Sequence, residues 1–172
     1  MLVIYSKTCE YAIRALACLA RRPAGVRARA QEIGREAGVP AAYIAKIFQD
    51  LARHGVLESH RGKRGGFCFH QDPRGLSLWR VVELIDDGSH FGHCVMGLDR
   101  CDDDNGCPLH DIWKVSRARI LDELERSTLA SVTPRITKMR FAALRRARLN
   151  LQHPRCREEG LGSQPSRLKI TG

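Results

Sequence analysis

Residues 28–66, ARAQEIGREAGVPAAYIAKIFQDLARHGVLESHRGKRGG, decide the fold. Within Ala28 to Ala37, Ile33 and Ala37 lie four apart on one helix face, and Gly38 supplies the stop. Pro40 begins a second helix that runs to His54, with Tyr43, Ile44, Ile47, Phe48 and Leu51 as its buried stripe and Gly55 as its cap. Helices of roughly nine and fourteen residues joined by the tight Gly38-Val39-Pro40 turn form a helix-turn-helix, whose second helix can enter a major groove. Val56 to His60 and Phe67 to Phe69 then read as strands around Arg61-Gly62-Lys63-Arg64-Gly65-Gly66. That loop combines cations with glycines, so its backbone can approach DNA while its charges meet phosphates or a minor groove. A plain basic hairpin has the same outline. A phosphate-binding loop does not, because the Gly-Lys-Ser/Thr ending before a helix is missing. The expected class is mainly α with a small β-wing: a winged helix-turn-helix head plus a long dimerisation helix.

Outward from this core, Cys9 to Arg21 carries Tyr11, Ile13, Leu16, Ala17, Leu19 and Ala20 at helical spacing and reads as an amphipathic first helix, ended by Pro23 and Gly25. Ser77 to Asp87, with Leu78, Val81, Val82, Leu84 and Ile85, closes a DNA-binding head over residues 1–87. Residues 88–110, rich in Gly and Asp, read as an irregular loop. From Asp111, the pattern Ile112, Val115, Ile120, Leu121 and Leu124 predicts a helix of about sixteen residues. Standing beyond a complete head, it must bury its stripe elsewhere, which suits a dimer. Pro134 starts one more helix bearing Ile136, Met139, Phe141, Ala142 and Leu144, completing a 111–150 unit. Residues 151–172 have the polar composition of a disordered basic tail.

Composition limits the function classes. The 172 residues are 43% hydrophobic with no long apolar run, so neither a membrane span nor a secretory leader is expected, and the cytoplasm is the expected compartment. The net charge of +10 is uneven: residues 1–75 hold thirteen Lys/Arg against six Asp/Glu, whereas Asp86, Asp87, Asp99, Asp102, Asp103 and Asp104 face only Arg100 within 86–104. A basic head would attract a phosphate backbone and bind it in a salt-dependent way, although a solvated basic surface has the same composition. No catalytic Ser-His-Asp order or dinucleotide fingerprint supports an enzyme.

Seven cysteines, an odd number, argue for metal or redox chemistry rather than a disulfide framework. Cys18 and Cys68 read as small core residues. Cys94, Cys101 and Cys107, with His110 behind them, lie on one loop able to wrap a small inorganic centre. Soft thiolates select iron-sulfur, zinc or copper(I), and the spacing is not the paired Cys-x2-Cys of a zinc finger. The neighbouring aspartates are expected to raise the thiol pKa values and make the site labile. Open alternatives are Cys3His zinc, thiol oxidation, an iron-sulfur electron carrier, and a nucleic-acid-binding protein whose cysteines are incidental.

Ser6-Lys7 with Tyr11-Ala12-Ile13-Arg14-Ala15-Leu16, the series from Pro40 through Tyr43-Ile44, Ile47-Phe48, Leu51 and Gly55-Val56-Leu57 to Arg61-Gly62 and Gly65-Gly66, and Cys107-Pro108-Leu109-His110-Asp111-Ile112-Trp113 together resemble the Rrf-type bacterial winged-helix transcriptional regulators. The likeness covers about residues 3–127. It implies a homodimer on a pseudo-palindromic double-stranded operator, sensing redox state, nitric oxide or iron-sulfur status through a cluster, 2Fe-2S in preference to 4Fe-4S. The implied ligands are Cys94, Cys101 and Cys107 plus a fourth residue. Cluster regulators use a histidine three positions after the last cysteine, here His110; other members use a partner-donated acidic residue, here Glu10. His110 is preferred because imidazole at an iron-sulfur corner has chemical precedent. On the DNA side, Tyr43, Lys46, Gln49 and Arg53 project as base or backbone contacts, with Arg61, Gly62, Lys63 and Arg64 on the wing and Tyr43 partly core. Ala45 stands where cluster regulators carry a glutamate that separates two classes of site, so dual site selection is not expected.

Overall fold

The computed structural model describes residues 4–98, 101–104 and 106–136. Among the described residues, helices α1 (Lys7–Ala20), α2 (Ala30–Ala37), α3 (Ala41–Arg53), α4 (Leu78–Asp86) and α5 (His110–Arg126), with a further helical stretch over 129–136, accompany a two-stranded antiparallel sheet of β1 (Leu57–His60) and β2 (Gly66–Phe69). The expected mainly α architecture with a small wing is what forms. In the sheet, Leu57 pairs with Phe69, Glu58 with Cys68, Ser59 with Phe67 and His60 with Gly66.

Helix α1 is the hub, and it is less amphipathic than expected. Cys9, Ala12, Ile13, Ala15, Leu16, Ala17, Cys18 and Leu19 are all buried, which covers most of its circumference. Its small alanines let neighbouring helices approach closely. Ser6 caps α1 through Cys9 N–H and also gives its own N–H and hydroxyl to the Asp86 carboxylate, both at 2.6 Å. The start of α1 is thereby tied to the end of α4.

Two boundaries shift for local reasons. Helix α2 starts at Ala30 rather than Ala28, because Ala28 exchanges two 2.9 Å backbone hydrogen bonds with Phe67 and extends the wing's pairing. Arg29 is the extended N-cap, and the Glu32 carboxylate accepts its backbone N–H. The helix assigned to Pro134 begins earlier, for the backbone is helical over 129–136 with Thr128 Oγ1 accepting Ser131 N–H at its start. Met139, Phe141, Ala142 and Leu144, and the 151–172 tail, lie outside the described residues.

Helix α5 does not stand apart from the head. Trp113 and Leu124 are buried, and Ile120 and Leu121 pack on the core, so positions 113, 117, 120, 121 and 124 face inward. After α5 the chain returns to the head, where Leu78 N–H donates to Ser127 C=O and Leu129 N–H to Leu76 C=O, both at 2.8 Å. The stripe read as single is therefore divided: Ile112 and Val115, 65% and 50% exposed, point away. Among the described residues no helix is long and apolar enough to cross a membrane.

Candidate DNA-binding face and cysteine centre

Helix α3 shows its two faces clearly. Ile44, Ile47, Phe48 and Leu51 are buried, with the Phe48 ring 5.3 Å from Phe67 in an edge-to-face contact. Tyr43 corrects the expected stripe: it is 58% exposed and only touches Tyr11 edge-on, so it is no core residue. Lys46, Gln49 and Arg53 are exposed beside it. Arg53 is partly committed, paired with Asp50. The wing presents Arg61, Gly62, Lys63 and Arg64 to solvent, and an open groove of about 990 Å³ runs between α3 and the wing, lined by Ala45, Gln49, Arg53, Arg61 and Arg29.

Two glycines shape that wing. Gly62 sits at φ +95°, which favours a residue without Cβ, and at Gly65 a Cβ would lie 2.3 Å from the His60 carbonyl oxygen. Arg29, which sequence reading passed over, donates its guanidinium to the Lys63 carbonyl and supports the loop from α2. The only sequence signal for it is its cation at a helix start, and the contact to residue 63 is non-local.

The cysteine loop leaves α4 at Asp87, whose φ of +59° turns the chain, and is pinned on both sides. Phe91 is buried against Trp79 at 5.3 Å; its carbonyl accepts from Arg117, and the Trp113 indole N–H donates to the His93 carbonyl at 3.1 Å. Anchors from α4 and α5 thus hold a loop whose regular structure, among the described residues, is one short 3-10 helix, Ser89–Gly92. Cys94 is buried and accepts Met96 N–H at 3.4 Å. The backbone amides of Leu98, Met96 and Gly97, with a hydrogen bond from the Cys107 thiol, hold the Cys94 thiol below its ordinary pKa. Burial chiefly pushes Cys107 up, joined by its contact with Cys94 and the nearby Cys101. The aspartates expected to raise all of these thiols are absent from those causes. Of them, Asp103 turns away to His110 and Lys114, and Asp99 lies outside the described residues.

His110, 8% exposed, sits between two partners: its Nδ1 is 3.4 Å from Cys101 Sγ and its Nε2 is 2.8 Å from Asp103 Oδ1. Lys114 Nζ holds both Asp103 oxygens, at 2.6 and 2.7 Å. The Lys114 hydrogen bond, followed by that of His110, keeps the Asp103 carboxyl below its usual range. A carboxylate on one imidazole nitrogen orients the ring and frees the other for a metal, the arrangement that accompanies histidine ligands generally. Gly106 lets the chain pass close here, for a Cβ on it would lie 3.0 Å from His110 Cβ and Cγ and the ring would have to give by a few tenths of an ångström. The donors therefore fall into two pairs, Cys94 with Cys107 and Cys101 with His110. Among the described residues these donors do not place three atoms within 4.8 Å of one another. Two pairs suit a two-iron cluster, in which each iron takes two protein donors.

Glu10 is placed elsewhere. Its carboxylate is held by Lys7 and Arg14, both on α1, and those contacts keep it below the usual carboxylate range against the opposing effect of burial.

A family model described as Rrf2, iron-dependent transcriptional regulator, matches residues 5–135. Over 129 residues the chain is 30% identical to a protein of Aquifex aeolicus (strain VF5) described only as an HTH-type transcriptional regulator, covering 74% of this chain and 89% of that one. It is 27% identical over 101 residues to the HTH-type transcriptional regulator IscR of Yersinia pseudotuberculosis, 59% of this chain and 61% of that protein's length. Among solved structures, the global cysteine regulator CymR of B. subtilis superposes with a TM-score of 0.63 at 17% identity, covering 78% of this chain and 98% of that one. T. potens IscR does so at 0.58 and 17%, covering 91% and 94%. At those identities the likeness speaks for the fold.

Proposed function

The chain belongs to the Rrf2 family of iron-dependent transcriptional regulators, and on that premise we propose that its DNA affinity is set by an iron-sulfur cluster held by Cys94, Cys101, Cys107 and His110. It is a regulator rather than an enzyme. The observation that carries the sensing reading is the pairing of four soft or borderline donors on one anchored loop, with Cys94 held toward its thiolate and His110 oriented by Asp103. That donor set fits a 2Fe-2S cluster better than a single ion.

A bound cluster supplies a redox-active, exchangeable link between thiolates, and the chain's residues convert its presence into loop order. Cys94 and Cys107 close one end of the loop and Cys101 with His110 the other. Trp113 and Arg117 carry loop order into α5, while Phe91 on Trp79 carries it into α4. Helix α4 in turn holds α1 through Asp86 and Ser6, and α1 packs on α2 and α3. The 88–110 loop is therefore tied to α4 on one side and to α5 on the other.

The functional unit is a homodimer. Ile112 and Val115 on α5 and Leu109 just before it are exposed, as are Met96 and Leu98 on the adjoining loop, so two copies burying this surface would set the separation of two α3 helices. Tyr43, Lys46, Gln49 and Arg53 would meet one major groove per half-site, and Arg61 to Arg64 the flanking backbone or minor groove. Anaerobic purification followed by iron and sulfide analysis, and operator binding before and after cluster removal, tests this reading. Equal DNA affinity in the two forms refutes it.

A further inference from the structure

The wing carries a second group of metal-capable side chains, separate from the cysteine loop. Strand register sets Glu58 directly opposite Cys68, and His60, two residues along β1, shares the Glu58 face. Among the described residues, Glu58, His60 and Cys68 are the trio whose ligand atoms all lie within 4.8 Å of one another. Glu58 Oε2 is 3.0 Å from His60 Nε2 and 3.9 Å from Cys68 Sγ. The other oxygen of the same carboxylate is 3.0 Å from His70 Nδ1, so a fourth donor stands just past β2. Metal bonds of about 2.0–2.3 Å at tetrahedral angles put ligand atoms about 3.3–3.7 Å apart. The observed separations of 3.0 and 3.9 Å lie just outside the two ends of that range.

Cys68 is 5% exposed, as a core residue would be, and its thiol donates to the Glu58 carboxylate, a neighbour that would be unfavourable for the thiolate without a bound cation. Burial and Glu58 push the thiol up, and the Arg27 guanidinium pulls it down. Arg27 is thus the cation that now offsets the Glu58 charge near the sulfur, and a bound ion would compete with it.

We propose that Glu58, His60 and Cys68, with His70 as a fourth donor, bind a borderline-soft divalent transition metal of the zinc type. A thiolate, an imidazole and a carboxylate favour such an ion over calcium or magnesium. On binding, the Cys68 thiol gives its proton to solvent and the sulfur lone pair bonds the ion. The ion then staples β1 to β2 at the root of the wing, since His60 directly precedes Arg61. His60 and Glu58 also line the groove between α3 and the wing, so occupancy stiffens the loop that carries Arg61, Lys63 and Arg64. None of this depends on the iron-sulfur reading.

The test uses the full chain carrying Cys94→Ser, Cys101→Ser, Cys107→Ser and Cys156→Ser, which leaves Cys68 and the two buried thiols of α1, Cys9 and Cys18. Cobalt(II) is titrated as the spectroscopic probe and zinc by competition against a chromophoric chelator. The expected result is one equivalent of cobalt per chain with a thiolate-to-cobalt absorption band that Cys68→Ser abolishes. His60→Ala and Glu58→Gln, at partly exposed positions, should weaken binding at least about tenfold while circular dichroism stays unchanged. Absence of stoichiometric cobalt binding overturns the proposal. So does a thiolate band that survives Cys68→Ser, or affinity unchanged in both His60→Ala and Glu58→Gln, which decides the matter even if Cys68→Ser fails to fold.

Discussion

Removing the wing's cations should change how DNA binding depends on salt. Arg61, Lys63 and Arg64 are exposed on the wing and engage in no ion pair among the described residues, whereas Arg53 is paired with Asp50 and Arg126 with Asp122. Each phosphate neutralised releases counterions worth a slope of about −0.9 in log affinity against log salt. If each wing cation meets one phosphate in a dimer, six contacts make up about −5 of the total slope. A fourfold rise in salt then costs the native protein about a thousandfold more affinity than the Arg61→Ala/Lys63→Ala/Arg64→Ala variant. Fluorescence anisotropy on a mixed-sequence duplex from 50 to 200 mM salt reads this without knowledge of the operator. Arg126→Ala serves as the control and should leave the slope unchanged. A triple variant whose slope differs from the native one by less than about 0.9 per protomer would show that the wing does not meet the phosphate backbone.

Four further outcomes follow from the geometry. With the proposed cluster bound, Asp103→Asn should lose its visible absorbance about 10–100 times faster than the native protein in an anaerobic chelator challenge, and Asp103→Glu should recover part of the difference; equal rates would remove Asp103 from the centre. In metal-free protein the folded-state pKa of Asp103 is depressed below its usual 3.8, so the stability it contributes is present above that value and lost as pH falls through the lower one. Trp113 emission should accordingly hold from pH 7 to 5, and Lys114→Met should move the acid transition upward. Phe48→Ala, at a fully buried ring against Phe67, should cost about 3–5 kcal/mol in urea unfolding, and a loss under 1 kcal/mol would contradict the packing described. Burial, with a smaller contribution from Asp86, pushes the Cys9 thiol up to about 12, so iodoacetamide at pH 8 should label Cys101 in the native metal-free protein well before Cys9, as mass spectrometry would show.

Where chemistry is local in the chain, the sequence was sufficient. The helical period of Ile44, Ile47, Phe48 and Leu51, the stops at Gly38 and Gly55, and the glycine-cation loop after His60 dictate the helix-turn-helix and wing, because propensity and turn geometry act over a few residues. The three cysteines and His110 were legible for the same reason: they fall on one short loop. Tertiary structure decided what depends on residues distant in sequence. It left Tyr43 outside the core, where periodicity had placed it inside, since a helix face is buried only where a neighbour reaches it. It divided the α5 stripe, because Leu124 joins the core and Trp113 is buried beside the cysteine loop, whereas nothing among the described residues covers Ile112 and Val115. It turned Asp103 from an expected hindrance to the thiols into the partner of His110, a matter of side-chain direction that composition does not carry. Glu58, His60 and Cys68 converge only through strand register, and hydrogen bonding between β1 and β2 sets that register.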